Sequence, residues 1–137
     1  MYCVLHLAPH HYHHFHAPCD FTQTDIFSVQ ERVILSGTWI GGGLHVAAVA
    51  ACNVGDIRLE KEPDLRTNQD RVVLRHLGGD VDIRTYRGST IVLVFEAPHD
   101  FEFSVAAGDK IRAGSRLGGV GPPVVAKDES SRKFIHY

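Results

Sequence analysis

Apolar residues in this chain recur in short runs and alternations, separated by glycine, proline and charged residues. Tyr2 to Leu7 is a β-rich opening. Asp25 to Val29 and Arg32 to Leu35 are short β segments on either side of a polar break. Leu44 to Ala51 is apolar apart from His45, and its length without helix caps predicts a buried strand. Asp56 to Glu60 alternates apolar and charged residues, and Arg71 to Leu77, Val81 to Tyr86 and Thr90 to Phe95 predict three further strands. No segment carries the spacing and caps of a convincing helix.

The segments between read as turns and loops. Pro9 to Pro18 is a polar, aromatic loop bounded by prolines. Gly41-Gly42-Gly43 predicts a flexible turn, Gly55 begins another, and Ala107-Gly108-Asp109 is a tight turn in which Gly108 can take a positive φ. Lys61 to Asp70 predicts a solvated excursion, and the charged tail after Gly121-Pro122-Pro123 is expected to be loosely held. Many short strands at regular spacing predict an all-β fold, a compact β-sandwich or barrel over residues 1–137 as a single domain. Val105 to Gly114 resembles the hairpin turns of lipoyl-like sandwiches, but no lysine sits at the tip as a swinging arm would need.

Composition narrows the partners. The chain has 137 residues, 22% of them charged, and a formal net charge of -2. That gives no basic footprint for nucleic acid. No apolar stretch is long enough to span a bilayer as a helix, and no signal-peptide pattern opens the chain. The three cysteines, Cys3, Cys19 and Cys52, have no CxxC spacing, so reduced thiols in a cytoplasmic setting are expected.

The chemistry gathers in two segments. Six of the ten histidines fall between His6 and His16. A metal would need three or four of them to converge, which an H-x-H spacing alone does not establish, and no metal site is assigned. Far along the chain, Arg87-Gly88-Ser89-Thr90 leads into the apolar run Ile91-Val92-Leu93-Val94-Phe95. A Gly-Ser bond can rearrange: the serine hydroxyl attacks the preceding carbonyl, the amide becomes an ester, and elimination splits the chain. The dehydroalanine left behind hydrolyses to a pyruvoyl group and ammonia. Serine needs a base for this, and a nearby histidine would supply it.

The ordered set of motifs resembles the phosphatidylserine decarboxylase family of pyruvoyl enzymes. Leu7-Ala8-Pro9-His10-His11-Tyr12-His13-His14-Phe15-His16-Ala17-Pro18 is similar to the family's L-A-P-x-D-Y-H-R-x-H-x-P. Asp25 to Val29 resembles G-x-L-F-S-V, and Glu31-Arg32-Val33 resembles N-E-R-V. Val49 to Ile57 resembles V-G-A-x-x-V-G-S-I, and Gly88-Ser89-Thr90 with the run that follows resembles G-S-T-V-x-x-L-F.

The resemblance implies a fold of that family's type and self-cleavage between Gly88 and Ser89. The products would be a β chain of residues 1–88 and an α chain of 89–137, with Ser89 becoming the pyruvoyl cofactor. It implies that His16 is the base for cleavage and that His13 assists decarboxylation. Tyr12, Phe15, Arg87 and Thr90 are the candidate substrate contacts. The expected substrate is a small amino-acid-like molecule, with phosphatidylserine as a variant of it, and a homo-oligomer is compatible with the reading. On this reading the chain starts downstream of the family's membrane-meeting helices and of the aspartate that orients the cleavage histidine.

Departures from the pattern are local. The family's E-x-G-x-F becomes Val81-Asp82-Ile83-Arg84-Thr85, the leucine before G-S-T becomes Arg87, and Phe21 follows Asp20 where a glycine is usual. Arg87 is expected to point away from the pocket or to hold an anion remote from the reacting carbon, because pairing with the departing carboxylate would stabilise the ground state. Two other functions stay open. One is an unprocessed domain that uses His13 and His16 for acid-base chemistry or ligand binding without a pyruvoyl group. The other is a scaffold in which the histidines are incidental.

Overall fold

The structure, a computed structural model, describes residues 1–8, 10–29, 32–50, 57–59, 62–67, 73–76, 82–84 and 89–121. Two compact units divide the chain, Met1–Glu96 and Ala97–Tyr137. All regular structure among the described residues is β, as the patterning predicts, and no sheet closes into a barrel.

The first unit holds a six-stranded antiparallel sheet and a small three-stranded one. In the large sheet, β1 (Tyr2–Leu7) pairs with β9 (Ser89–Phe95). Next come β5 (Gly42–Ala50), β4 (Arg32–Trp39), β3 (Phe21–Val29) and the edge strand β7 (Val73–His76). The small sheet orders β2 (His14–His16), β8 (Asp82–Arg84) and β6 (Arg58–Leu59).

Alternation decides which face is buried. Val33, Ala48, Ile91 and Leu5 lie in one register row, and Leu35, Val46, Leu93 and Cys3 in the next. Val33, Ala48 and Ile91 are fully buried. Each large side chain removed from water in this way is worth roughly 1.5–3 kcal/mol. The intervening residues Ala47 and Val49 are only half-buried and His45 is exposed, so β5 is not buried on both faces as its apolar run suggested.

Three further differences have physical causes. First, β3 begins at Phe21, not Asp25, and β4 runs on to Trp39. A bulge between Gln23 and Asp25 moves the buried parity from Phe21 and Gln23 to Ile26, which hides the alternation. Second, the polar stretch after Lys61 is not wholly solvated: Leu65 and Thr67 are buried, and the Thr67 hydroxyl accepts a bond from the Ile57 amide at 3.0 Å. Third, Gly42 and Gly43 belong to β5 and not to a loose turn. Gly42 has φ +122°, and a Cβ there would run into the Glu96 carboxylate, whose Oε2 accepts from the Gly43 amide at 2.8 Å.

The second unit contains the antiparallel pair β10 (Phe101–Phe103) and β11 (Gly118–Val120), neither of which the pattern announced. The turn at Ala107-Gly108-Asp109 is present. Gly108 has φ +95°, and the Asp109 carboxylate accepts from the Ala106 amide at 2.8 Å. The charged tail beyond Gly121 lies outside the described residues.

Candidate functional site

Ser89 is the first residue of β9, and both neighbouring strands hold it. It stands in register with Leu7 on β1 and Ala50 on β5. Its side chain faces the core with Ile91 and Leu93 and is 3% exposed. A backbone paired on both edges keeps that hydroxyl in one place, which a reacting group needs.

The histidine loop reaches it from the other side. His13 Nδ1 lies 3.4 Å from Ser89 Oγ, across 76 positions of sequence. This is the long end of the hydrogen-bond range, common in resting sites where contacts tighten only during reaction. The segment after His13 becomes β2, in which Phe15 stands opposite Ile83 of β8 and the flanking histidines alternate with it. The loop expected between the prolines therefore contains a short strand.

His16 is engaged by Tyr12, whose hydroxyl lies 3.0 Å from its Nε2. The Tyr12 ring stacks near-parallel on His14, with centroids 4.9 Å apart, and on His16 at 6.0 Å. Tyr12 thus contacts histidines, an arrangement the spacing of Tyr12, His14 and His16 at alternate positions could have suggested.

Phe15 is half-buried on β2. Thr90 follows Ser89 but falls on the opposite face of the sheet, in register with His6 and Val49. Arg87 and Gly88 lie outside the described residues, as does Cys52. Among the described residues no three His, Cys, Asp or Glu side chains form a group able to hold a metal ion. No helix among them is long and apolar enough to cross a membrane. Burial pushes the Cys19 thiol above its ordinary pKa, with the Asp20 carboxylate adding to the effect. The Cys3 thiol is raised by burial alone.

A family model for phosphatidylserine decarboxylase matches residues 21–119. The chain belongs to the phosphatidylserine decarboxylase family. Its relatives include phosphatidylserine decarboxylase proenzyme 1, mitochondrial, of Toxoplasma gondii, 48% identical over 99% of this chain and 41% of that protein. The phosphatidylserine decarboxylase proenzyme of Plasmodium knowlesi is 34% identical over 98% of this chain and 47% of its own length. The mitochondrial proenzyme of Cricetulus griseus is 36% identical over 85% and 38%. The chain spans less than half the length of these relatives. No solved structure matches it.

Membership in the family bears out the fold and family expected from the ordered motifs. The cytoplasmic setting expected from the cysteines is overturned by the mitochondrial names of several relatives. Unpaired thiols report a redox condition and not an address, so they could not have separated the two.

Proposed function

We propose that this chain carries the self-processing serine, and the imidazole that serves it, of a pyruvoyl-dependent phosphatidylserine decarboxylase. The observation that carries the reading is the approach of His13 Nδ1 to Ser89 Oγ at 3.4 Å. The two segments are remote in sequence, and their meeting brings an imidazole beside the hydroxyl of the Gly88-Ser89-Thr90 pattern.

The residues fit the group. Ser89 is buried, its backbone is held on both sides, and its oxygen meets an imidazole. Cleavage needs little more. His13 takes the hydroxyl proton as Oγ attacks the Gly88 carbonyl carbon, and returns it to the departing amide nitrogen, so that the amide becomes an ester. Loss of the Ser89 α-proton then breaks the Cβ–Oγ bond, leaving a carboxylate on residue 88 and dehydroalanine at 89. One water replaces the nitrogen, which leaves as ammonia. A pyruvoyl group there supplies the carbonyl that draws electrons from a breaking carboxylate bond. His13, already at that atom, is the proton carrier for the later chemistry too, and the buried position excludes bulk water.

The substrate reading follows the relatives, whose names specify a phospholipid and not a free amino acid. Intact-mass measurement on the purified protein tests processing: two pieces split between Gly88 and Ser89, the second without a free amine, and one piece for Ser89→Ala. Release of CO₂ from phosphatidylserine vesicles, compared with free serine, tests the substrate. A protein that stays whole, and whose Ser89→Ala variant decarboxylates as well as wild type, overturns the proposal.

A further inference from the structure

His13 reaches Ser89 because the chain reverses just before it. Leu7, the last residue of β1, stands in register with Ser89. A short way further on, His13 Nδ1 is 3.4 Å from Ser89 Oγ. The reversal is made between Ala8 and His11. The His11 amide donates to the Ala8 carbonyl at 2.9 Å, the bond of a β-turn. The Ala8 amide donates in return to His11 Nδ1 at 3.1 Å. Backbone and side chain of His11 thus close one turn on the same residue. From this geometry we infer that His11 is a positioning residue: its neutral imidazole clips the turn that returns His13 to Ser89, and its protonation opens the clip and slows processing. The inference rests on the reading of Ser89 as the processing residue.

The sign follows from the chemistry of the ring. A neutral imidazole has one nitrogen that accepts and one that donates, whereas an imidazolium only donates. Nδ1 accepts from Ala8, so the neutral ring carries its proton on Nε2. A second proton, on Nδ1, would be set against the Ala8 N–H, and the bond would be lost. Among the described residues the titratable group in contact with His11 is the His10 ring, edge-on with centroids 4.5 Å apart. The family pattern L-A-P-x-D-Y-H has aspartate where this chain has His11. A carboxylate accepts hydrogen bonds throughout the neutral range, and an imidazole does so only while unprotonated. Histidine at this position makes the clip conditional on pH. His13 also loses its acceptor on protonation, so acid acts on processing through two rings.

Two substitutions separate the clip from the base. His11→Asn keeps an acceptor near the position of Nδ1 and does not titrate; His11→Ala removes the acceptor. In Ser89→Ala protein, which cannot cleave, amide and ring resonances are followed by NMR from about pH 5 to pH 8, the range in which histidine ordinarily titrates. The Ala8 amide proton should shift with the midpoint of the His11 ring, and should show no such transition in Ser89→Ala/His11→Asn. For processing, chains with Ser89 intact are made by brief cell-free synthesis and diluted into buffers over the same range, and the appearance of fragments is timed. At the alkaline end His11→Asn should cleave at the wild-type rate, and His11→Ala about 2- to 12-fold more slowly, the worth of one such hydrogen bond. At the acid end all three slow together through the base, wild type converges on His11→Ala, and His11→Asn leads both by about the same factor. An Ala8 amide that ignores the His11 titration, or a His11→Asn rate in constant ratio to wild type across the range, overturns the inference. A wild-type chain that never cleaves counts against the proposed function instead, and the Ala8 titration then decides the clip by itself.

Discussion

His13 Nδ1 and Ser89 Oγ stand 3.4 Å apart although 76 positions separate them in the chain. The pair sets a clear expectation. His13→Gln keeps a polar side chain of similar reach but removes the proton acceptor. It should slow self-cleavage by about 10²–10⁴-fold, the usual worth of a positioned general base. The time course of fragment appearance after expression measures it. Cleavage at the wild-type rate in His13→Gln would show that the contact has no part in processing.

Core and surface positions of β9 should respond very differently. Ile91 is fully buried on β9, between β1 and β5, while Val94 is 47% exposed. Ile91→Ala should cost about 2–5 kcal/mol through lost burial and the cavity left behind. Val94→Ala should stay within about 0.5 kcal/mol of wild type. Urea denaturation of unprocessed Ser89→Ala protein makes the comparison free of cleavage.

Gly42 combines a left-handed backbone with a close carboxylate. Gly42→Ala should therefore destabilise by more than ~1 kcal/mol, since both strain and displacement of Glu96 act against it. Glu96 also accepts the Trp39 indole N–H through its backbone oxygen at 2.9 Å. Trp39→Phe should cost about 0.5–1.5 kcal/mol for that bond, besides any loss of packing. Thermal melts of the two variants test both values.

The Cys19 thiol is raised by burial first and by Asp20 second. A raised pKa lowers the thiolate fraction at neutral pH, and the thiolate is the reactive form. Cys19 should therefore alkylate more slowly than an exposed cysteine at pH 7.5, and faster as pH rises. Asp20→Asn removes the smaller cause and should speed labelling by less than about tenfold, since one pKa unit is a factor of ten. Peptide mapping after timed iodoacetamide exposure gives the rates. A slower Asp20→Asn would contradict the assignment.

Much of this arrangement is legible in the chain, and the rest is hidden for identifiable reasons. The bounds of Tyr2–Leu7 are legible because its residues keep one parity and meet no irregularity. The pattern hides the first half of β3 because a single extra residue near Thr24 breaks the alternation. The strand in the histidine loop is three residues long, too short for any periodicity to register. Leu65 and Thr67 looked solvated because their neighbours are polar, yet a buried hydroxyl bonded to the Ile57 amide ties that segment down. Motif order singles out Ser89 and His13. Alternate spacing suggests that Tyr12, His14 and His16 meet, but the contact of the Tyr12 hydroxyl with His16 Nε2 depends on ring geometry, which spacing does not carry. The expected role of Arg87 falls on a residue outside the described set.

The position of β9 inside the large sheet has a consequence for a cut made just before it. β9 is bonded on one edge to β1 and on the other to β5, and both come from the stretch ahead of Ser89. A severed backbone would leave this strand clamped between two strands of the other piece, with Ile91 and Leu93 still in the core. The halves would then behave as a tight complex of unequal subunits that copurifies as one species and separates only on denaturation. Unfolding would change from a unimolecular to a bimolecular event, so the melting temperature of processed protein should rise with its concentration while that of Ser89→Ala does not.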